Sequence, residues 1–215
     1  MRRFLNAYHA KRIQVRETSI IAVVAINFFI LARYCWLIWK DRIKPAMAMW
    51  VFFSIAVGGS LATYLSSGDY SFLDNIQNTT DLVFVLTVTV FVFIFGDRST
   101  RFNTFDVGCL IAVLVIVVLW LIFQNHVVSN VSIQVILIIA YFPVISRIWN
   151  SNENTESFAA WIGLFLAPCI SLFSSKGVLA TIYSLRAIIS TSVLLALMVR
   201  AELRQRNDRK SEPAI

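Results

Sequence analysis

The chain has 215 residues, of which 58% are hydrophobic and only 14% are charged. A soluble domain has about 45–50% apolar and about 25% charged residues, so this composition excludes a soluble globular enzyme and a disordered chain. The net charge of +7 comes largely from the two tails, which hold ten of the 19 lysines and arginines. This placement indicates membrane topology rather than nucleic-acid binding, and we predict an integral membrane protein.

Seven apolar segments are long enough to cross a bilayer, which takes about 20 helical residues. We therefore predict an all-α fold with seven transmembrane helices. They cover residues 19–39, 46–67, 77–96, 106–124, 131–149, 157–175 and 177–199. The basic segment 1–18 is predicted to be a short helix on the lipid surface or an unstructured tail. The polar tail 200–215 is predicted to fray after one or two helical turns.

The loop charges predict an orientation. With seven spans, the N-terminus and the loops after spans 2, 4 and 6 share one side, which holds six basic residues, against eleven on the other side. The positive-inside rule then places the N-terminus outside and the C-terminus in the cytosol. We predict a multi-pass protein of the cell membrane, or of the inner membrane if the source is bacterial.

The second and sixth apolar segments match when the sequence is shifted by 111 residues. The matched pairs are Ala48 with Ala159, Trp50 with Trp161, Ala56 with Ala167, Ser60 with Ser171, and Leu61 with Leu172. A shift of 110 also places the Ile-Trp pair 38–39 on the Ile-Trp pair 148–149. These offsets predict two parallel three-helix repeats, 19–96 and 131–199, joined by a linker helix and its loops, 97–130.

One motif accompanies this arrangement. Residues 141–147 read Tyr-Phe-Pro-Val-Ile-Ser-Arg, and residues 155–157 read Thr-Glu-Ser. The pattern resembles the PQ-loop of the SWEET sugar transporters and the lysosomal amino-acid exporters, in which a kinking Pro-Gln precedes a basic residue and a short polar loop ending in Ser/Thr-Glu. The residues that match in order are Pro143, Arg147, Thr155 and Glu156, and Val144 replaces the glutamine.

The resemblance is at superfamily level and implies a small-solute carrier that works by alternating access of two triple-helix bundles. We expect facilitated diffusion, because Asp81 and Glu156, the acids best placed to carry a proton, do not lie deep in a span. The main alternative is a non-transporting membrane sensor, scaffold or accessory subunit of a membrane complex. A membrane enzyme acting on lipids is a third, weaker alternative.

Polar and ionisable side chains inside the predicted spans are the candidate solute-binding residues, because such groups are costly in lipid. The set is Asn27, Asp81, Thr87, Arg186 and Ser190. Arg186 lies near mid-membrane, where it could pair with Asp81, bind an anionic solute or have a purely structural role. Asp81 could instead be a helix-start residue, and hydrogen bonding between helices is the more common use of Asn27 and Thr87.

Two prolines are candidate hinges, because proline removes a backbone donor and bends a helix. They are Pro143 in span 5 and Pro168 in span 6, with a static kink as the alternative for each. Trp39 and Trp149 are predicted to anchor the chain at the membrane interface, about one turn outside the matched pair Trp50 and Trp161.

The sequence carries no catalytic motif and no phosphate-binding loop, so we predict no enzyme, no catalytic residue, no metal and no cofactor. The three scattered cysteines indicate no disulfide framework. The expected partners are the lipid bilayer and a small polar or anionic solute, without nucleic acid. The sequence leaves a homodimer open.

Overall fold

The computed structural model describes residues 2–43, 47–95, 104–142, 145, 148–149 and 157–211. Within these residues the structure is helical and has no strand. A short 3₁₀ turn, Phe72–Asn75, precedes the third helix. The helices are α1 (Arg2–Trp39), α2 (Met47–Ser66), α3 (Ile76–Phe95), α4 (Thr104–Phe123), α5 (His126–Ile139), α6 (Phe158–Ser171) and α7 (Val178–Ser211).

The predicted all-helical fold is confirmed for the described residues. Three segments are long and apolar enough to cross a membrane, and these are Ala10–Trp39, Phe72–Phe95 and Val178–Gln205. Shorter apolar helices cover Trp50–Ser66, Val107–Phe123, His126–Ile139 and Phe158–Ser171. The structure is therefore compatible with a membrane location.

The helix bounds follow the predicted segments closely for α2, α3 and α4 and differ for the others: α5 ends at Ile139 instead of 149, and α6 ends at Ser171 instead of 175. α1 begins at Arg2, so the basic N-terminal segment continues the first apolar helix. α7 runs to Ser211, through the polar segment for which the sequence predicts fraying. α5 begins at His126, ahead of the predicted residue 131, because Asn125 caps it: its Oδ1 accepts a hydrogen bond from the Val128 amide at 3.2 Å.

Helices α1–α3, the first triplet, and helices α5–α7, the second triplet, make the same pattern of contacts. In each triplet the third helix packs against both of the others, so α3 contacts α1 and α2, and α7 contacts α5 and α6. The triplets meet through α1 with α6, through α2 with α5, and through α3 with α7. α4 packs beside this assembly, against α2 and α5.

The outer surface of the bundle is apolar. Large hydrophobic side chains are exposed on α1, α3, α4, α5, α6 and α7. Phe28 on α1, Phe93 on α3, Ile122 on α4 and Ile189 on α7 are each more than 60% exposed. Soluble monomers rarely expose contiguous apolar patches larger than a few hundred Å², so this surface is suited to contact with lipid.

Candidate functional site

A cavity of about 130 Å³ lies between the two triplets. Its lining comes from the six helices of the triplets and from Ala140 and Tyr141, which follow α5, and none of the residues found around it belongs to α4. For scale, a cavity of about 150 Å³ holds a benzene molecule, so the solute that this cavity suits is no larger than about one small ring. Most of the polar and aromatic lining is formed by Tyr34, Trp50, Phe53, Asp81, Phe84, Tyr141, Trp161, Tyr183 and Arg186.

The aromatic rings of this space, which we call the aromatic cavity, pack in tilted pairs. Trp50 lies 5.4 Å from Tyr34 and 6.0 Å from Phe84, and Trp161 lies 6.1 Å from Tyr141, measured between ring centres. Tilted contacts are favoured because they bring the positive edge of one ring to the negative face of another. Trp50 and Trp161, which the 111-residue shift relates, thus both line the cavity.

Two charged side chains, Asp81 on α3 and Arg186 on α7, line the aromatic cavity. The Asp81 carboxylate accepts hydrogen bonds from Gln77 Nε2 and from the Tyr183 hydroxyl, both at 2.8 Å. Arg186 is only 7% exposed. Its Nε donates to Gln134 Oε1 at 3.2 Å, and its guanidinium lies over the Tyr183 ring, 4.7 Å from the ring centre.

Tyr183 therefore links the two charged groups, with its hydroxyl on Asp81 and its ring face under Arg186. The salt bridges found among the described residues do not include a direct Asp81–Arg186 pair. A carboxylate has about four lone-pair sites and a guanidinium has five N–H donors. The cavity can therefore hold an anionic group at Arg186 while a donor or cation approaches Asp81.

The remaining predicted binding residues lie elsewhere. Asn27 is buried, and its Nδ2 donates to a threonine hydroxyl of α3 at 2.7 Å, which joins α1 to α3. Thr87 bonds a carbonyl of its own helix, on a partly exposed face. Ser190 is buried one turn after Arg186, with no hydrogen-bond partner for its hydroxyl in the described part of the chain. Of the predicted set, the structure brings Asp81 and Arg186 together in the cavity.

The two predicted hinges differ in what the structure describes. Pro168 is buried inside α6, and its carbonyl accepts a hydrogen bond from Ser171 Oγ at 2.9 Å. Its role as a hinge stays a prediction. Pro143 lies outside the described residues, as do the other residues of the PQ-loop-like pattern, Arg147, Thr155 and Glu156.

A buried polar network joins α2 to α5. Asn130 Nδ2 donates to Ser60 O at 2.8 Å and to Thr63 Oγ1 at 2.9 Å, and Thr63 Oγ1 donates to Ser60 O at 3.0 Å. Gln134 Nε2 donates to Ser60 Oγ at 2.8 Å. The Asn78 amide of α3 lies 3.0 Å from the same hydroxyl. Since a hydroxyl has one proton and two lone pairs, this amide is oriented so that its oxygen accepts from Ser60 Oγ.

A second network joins α1 to the end of α6. Ser19 Oγ donates to Ile170 O at 2.6 Å and lies 3.1 Å from Ser174 Oγ. Ser174 Oγ donates to Ser171 O at 3.0 Å, and Ser171 Oγ lies 2.8 Å from Ser184 Oγ of α7. Like the first network, this one consists of buried groups that are hydrogen-bonded to each other.

The shift of 111 residues relates the two networks to each other. It places Ser19 on Asn130, Ser171 on Ser60, Ser174 on Thr63, and Val23 on Gln134. The interface between α1 and α6 and the interface between α2 and α5 thus use equivalent positions with different side chains.

Charged residues lie beyond the networks, at the same end of the bundle. Asp74 Oδ1 lies 2.9 Å from Arg16 Nη2, and Asp74 Oδ2 lies 3.7 Å from Lys176 Nζ. The Ser71 backbone amide donates to Asp74 Oδ2 at 2.9 Å, and the Tyr64 hydroxyl donates to Lys176 O at 2.9 Å. We call this end, with its two networks and the Asp74 cluster, the polar end. It closes the bundle on one side, because its contacts run between the two triplets.

The aromatic cavity lies toward the opposite end. Tyr34 lies near the end of α1, Trp50 near the start of α2, and Trp161 near the start of α6. These helix ends are the ones farthest from the polar end, because α1 runs away from it and α2 and α6 run toward it.

Two residues that join the cavity to its surroundings, Tyr183 and Gln134, are not in the set of binding residues predicted from the sequence. Signals for both are present. Tyr183 lies one helical turn before Arg186, on the same face, and Gln134 is an uncharged polar residue inside a predicted span. Tyr34 and Phe84 carry no comparable signal, because aromatic residues occur throughout the predicted spans.

Comparisons with protein-family models, curated proteins and solved structures found no match to this chain. The assignment of a function therefore depends on the geometry of the cavity and its two flanking interfaces.

Proposed function

We propose that the chain is a multi-pass membrane protein with seven transmembrane helices. Helices α2 and α4 have 20 residues each, a length of about 30 Å at about 1.5 Å per residue, which matches the hydrocarbon core of a bilayer. The apolar outer surface supports the same proposal. So do Trp39 and Trp149, which are more than half exposed and carry Lys40 and Arg200 over their rings, as interfacial anchors do.

We further propose that α1–α3 and α5–α7 are two parallel repeats, with α4 as the linker. Two observations support this proposal. The third helix of each triplet packs against both of the others, and the networks of the α1–α6 and α2–α5 interfaces are related by one constant shift. Parallel repeats around an axis along the membrane normal are a known arrangement of membrane transporters.

The proposed function is that of a small-solute carrier of SWEET/PQ-loop-like architecture that works by alternating access. The observation that carries the proposal is the placement of Asp81 and Arg186 together in an aromatic cavity between the triplets, closed at the polar end. Intramembrane ionisable groups that face a cavity mark solute pathways in membrane proteins.

In this proposal, a small solute with a carboxylate binds through its anionic group to Arg186, and the aromatic rings hold its body. The two triplets then rock about the α1–α6 and α2–α5 interfaces, which opens the polar end and closes the other. With the N-terminus outside, the polar end is the outer side, so the conformation described above is closed to the outside. Transport by facilitated diffusion requires no further coupling group.

Tryptophan fluorescence tests the proposal, because two of the six tryptophans line the cavity. Purified protein is titrated with acetate, lactate, benzoate, glycine betaine and glucose. We expect a saturable change with at least one carboxylate and no change with glucose. Arg186→Ala should weaken this binding at least about tenfold, which corresponds to about 1.4 kcal/mol. The matched control is Thr87→Ala, which lies outside the cavity and should bind as the unchanged chain does.

Uptake of the bound carboxylate into proteoliposomes then separates a carrier from a receptor. Facilitated diffusion predicts equilibration without accumulation, whether or not a pH gradient is present. Equal binding by the Arg186→Ala variant would contradict the assigned site. Absence of binding across the panel, together with crosslinking to one stoichiometric partner in the membrane, would instead favour the accessory subunit.

A further inference from the structure

Gln134 lies between the aromatic cavity and the polar end, and only 3% of its surface is exposed. Its Oε1 accepts the hydrogen bond from Arg186 Nε at 3.2 Å, and its Nε2 donates to Ser60 Oγ at 2.8 Å. One side chain thus connects the cation of the cavity, on α7, with the network that joins α2 to α5. At the equivalent position of the other interface stands Val23, which is fully buried and can make neither bond.

We infer that Gln134 couples the state of Arg186 to the closure of the α2–α5 interface, and that the α1–α6 interface has no such coupling. The inference deepens the proposed function, since it names the element through which an occupied cavity loosens the closed end. Gln134 acts here as a positioning residue, because it reaches the solute only through Arg186.

The physical basis is the limited bonding capacity of a buried amide. When an anion draws the Arg186 guanidinium toward itself, Gln134 Oε1 loses its donor, and an unsatisfied buried acceptor is costly. The amide recovers a partner only by rotating, which removes its donor from Ser60 Oγ. Ser60 then loses one of the contacts that hold α5 against α2, and the polar end loosens on that side.

Among the described residues, the α1–α6 interface has no side chain that could rotate between Arg186 and its network in this way. Ser19 Oγ donates to Ile170 O, and Ser174 Oγ donates to Ser171 O, so these hydroxyl protons are held by nearby backbone carbonyls. Ser171 Oγ also reaches α7, where it lies 2.8 Å from Ser184 Oγ, but the hydrogen bonds of the described residues do not join these serines to Arg186, and the side chain at position 23 is apolar. The α1–α6 interface therefore stays unchanged when Arg186 moves.

Hydrogen–deuterium exchange on the full chain in lipid nanodiscs tests this inference. Amide exchange reports local opening of each segment. The two interfaces give separate peptides, 59–66 and 126–134 for α2–α5, and 16–23 and 168–175 for α1–α6. The variants are Arg186→Met, Gln134→Met and the double variant, so that they form a double-mutant cycle. Ser19→Ala is the matched control, and it should raise exchange in the α1–α6 peptides alone.

We expect Arg186→Met to raise exchange in the α2–α5 peptides about fivefold or more, with less than a twofold change in the α1–α6 peptides. Gln134→Met should give a similar increase, and the double variant should add nothing to it, as expected for residues that act through one contact. Additive effects in the cycle, or equal loosening of both interfaces, would overturn the inference.

Arg186→Lys provides a second test if the methionine variant does not fold, because lysine keeps the charge but lacks the Nε donor that reaches Gln134. It should still loosen the α2–α5 peptides, and an unchanged exchange rate would overturn the inference. The experiment uses no solute. Its failure therefore counts against the coupling alone, whereas failure of the fluorescence titration counts against the carrier.

Discussion

The two interfaces between the triplets share a set of positions and differ in the side chains that fill them. On α2, Thr63 Oγ1 donates to Ser60 O at 3.0 Å, and after α6, Ser174 Oγ donates to Ser171 O at the same distance. These bonds within a helix end are common to both interfaces. The bonds across the interfaces differ, because α5 offers the amides of residues 130 and 134, whereas α1 offers a serine and a valine.

The difference shows how one backbone arrangement can serve two purposes. The hydroxyls of the α1–α6 interface reach neighbouring carbonyls and serines, including Ser184 of α7, and the hydrogen bonds of the described residues do not join them to Arg186. At the α2–α5 interface, the longer side chain of Gln134 reaches from the network to the cavity, because it bonds both Ser60 and Arg186. We therefore expect the α2–α5 interface to be the stronger of the two in the empty protein and the one that depends on the cavity.

The largest expected loss of stability in this comparison comes from removing the Asn130 side-chain amide, which donates to two groups of α2. Asn130→Ala removes the hydrogen bonds to Ser60 O and Thr63 Oγ1 and should lower the free energy of unfolding by about 1–2 kcal/mol, near the upper limit for interhelical bonds in membranes. Ser19→Ala should cost about 0.5 kcal/mol. Titration with sodium dodecyl sulfate in mixed micelles measures both values.

Asn130→Ser is the matched control, because it gives α5 the residue that α1 has at this position. We expect its cost to lie between those of the two alanine variants. Equal costs for Asn130→Ala and Ser19→Ala would show that the two interfaces are energetically equivalent, against the comparison.

The next largest expected effect is the loss of stability when a glycine at each interface is replaced by alanine. Each interface has one glycine where two helices approach closely. A Cβ at Gly163 would lie 2.6 Å from Ile30 Cδ1 of α1, and a Cβ at Gly59 would lie 3.3 Å from Ile133 Cδ1 of α5. Gly163→Ala should therefore cost about 1 kcal/mol, as overpacking does, and Gly59→Ala less than half as much. The same titration measures these values.

Shortening the opposing side chain separates overpacking from a loss of backbone flexibility. In the Gly163→Ala background, Ile30→Val removes the Cδ1 methyl group but keeps a carbon at the Cγ1 position, 2.9 Å from the new Cβ, so we expect it to recover part of the lost stability. If Ile30→Val costs as much stability in this background as it does beside the native Gly163, the close approach of α1 and α6 is not the cause.

The sequence predicts several features of this structure because their physical signals are local. Apolar length defines α2, α3 and α4, and a fixed shift pairs Trp50 with Trp161, which both line the cavity. Arg186 stands out because a cation is costly in lipid, and it does line the cavity. The bounds of α1 and α7 are less predictable, because a polar helix extends from an apolar one without any change in backbone geometry.

The sequence does not determine which hydrogen-bond partner each polar side chain takes. Asn27 and Thr87 look alike as polar residues within apolar helices, yet Asn27 bonds a neighbouring helix and Thr87 bonds its own helix on a partly exposed face. Helix rotation decides between these outcomes, and tertiary packing sets that rotation. The bond between Gln134 and Arg186 joins residues 52 positions apart, so it depends on the packing of α5 against α7.

The smallest expected effect concerns the charges at the polar end. Asp74→Asn removes the attraction of Arg16, within the first triplet, and of Lys176, from the second. The side chains of these cations are 41% and 60% exposed, so we expect a cost of about 0.5 kcal/mol. Thermal unfolding measured at about 10 mM and about 1 M salt should show a salt effect in the unchanged chain that the variant lacks, because the Debye length falls from about 30 Å to about 3 Å.

Three further variants, Asp69→Asn, Lys176→Gln and Arg16→Gln, show which ion pair produces this salt effect. Asp69→Asn removes one negative charge from the same connection but keeps both Asp74 ion pairs and the Asp69 backbone carbonyl that accepts from Lys176 Nζ at 3.4 Å, so the salt effect should persist in it. Lys176→Gln removes the Asp74 ion pair that joins the two triplets and keeps the Arg16 pair. If the salt effect disappears in Lys176→Gln, charge attraction helps to hold the polar end shut, and the two networks share that task with it. If the effect persists there and disappears only in Arg16→Gln, the Asp74 charge stabilises the first triplet alone, and closure of the polar end depends on the asymmetric networks.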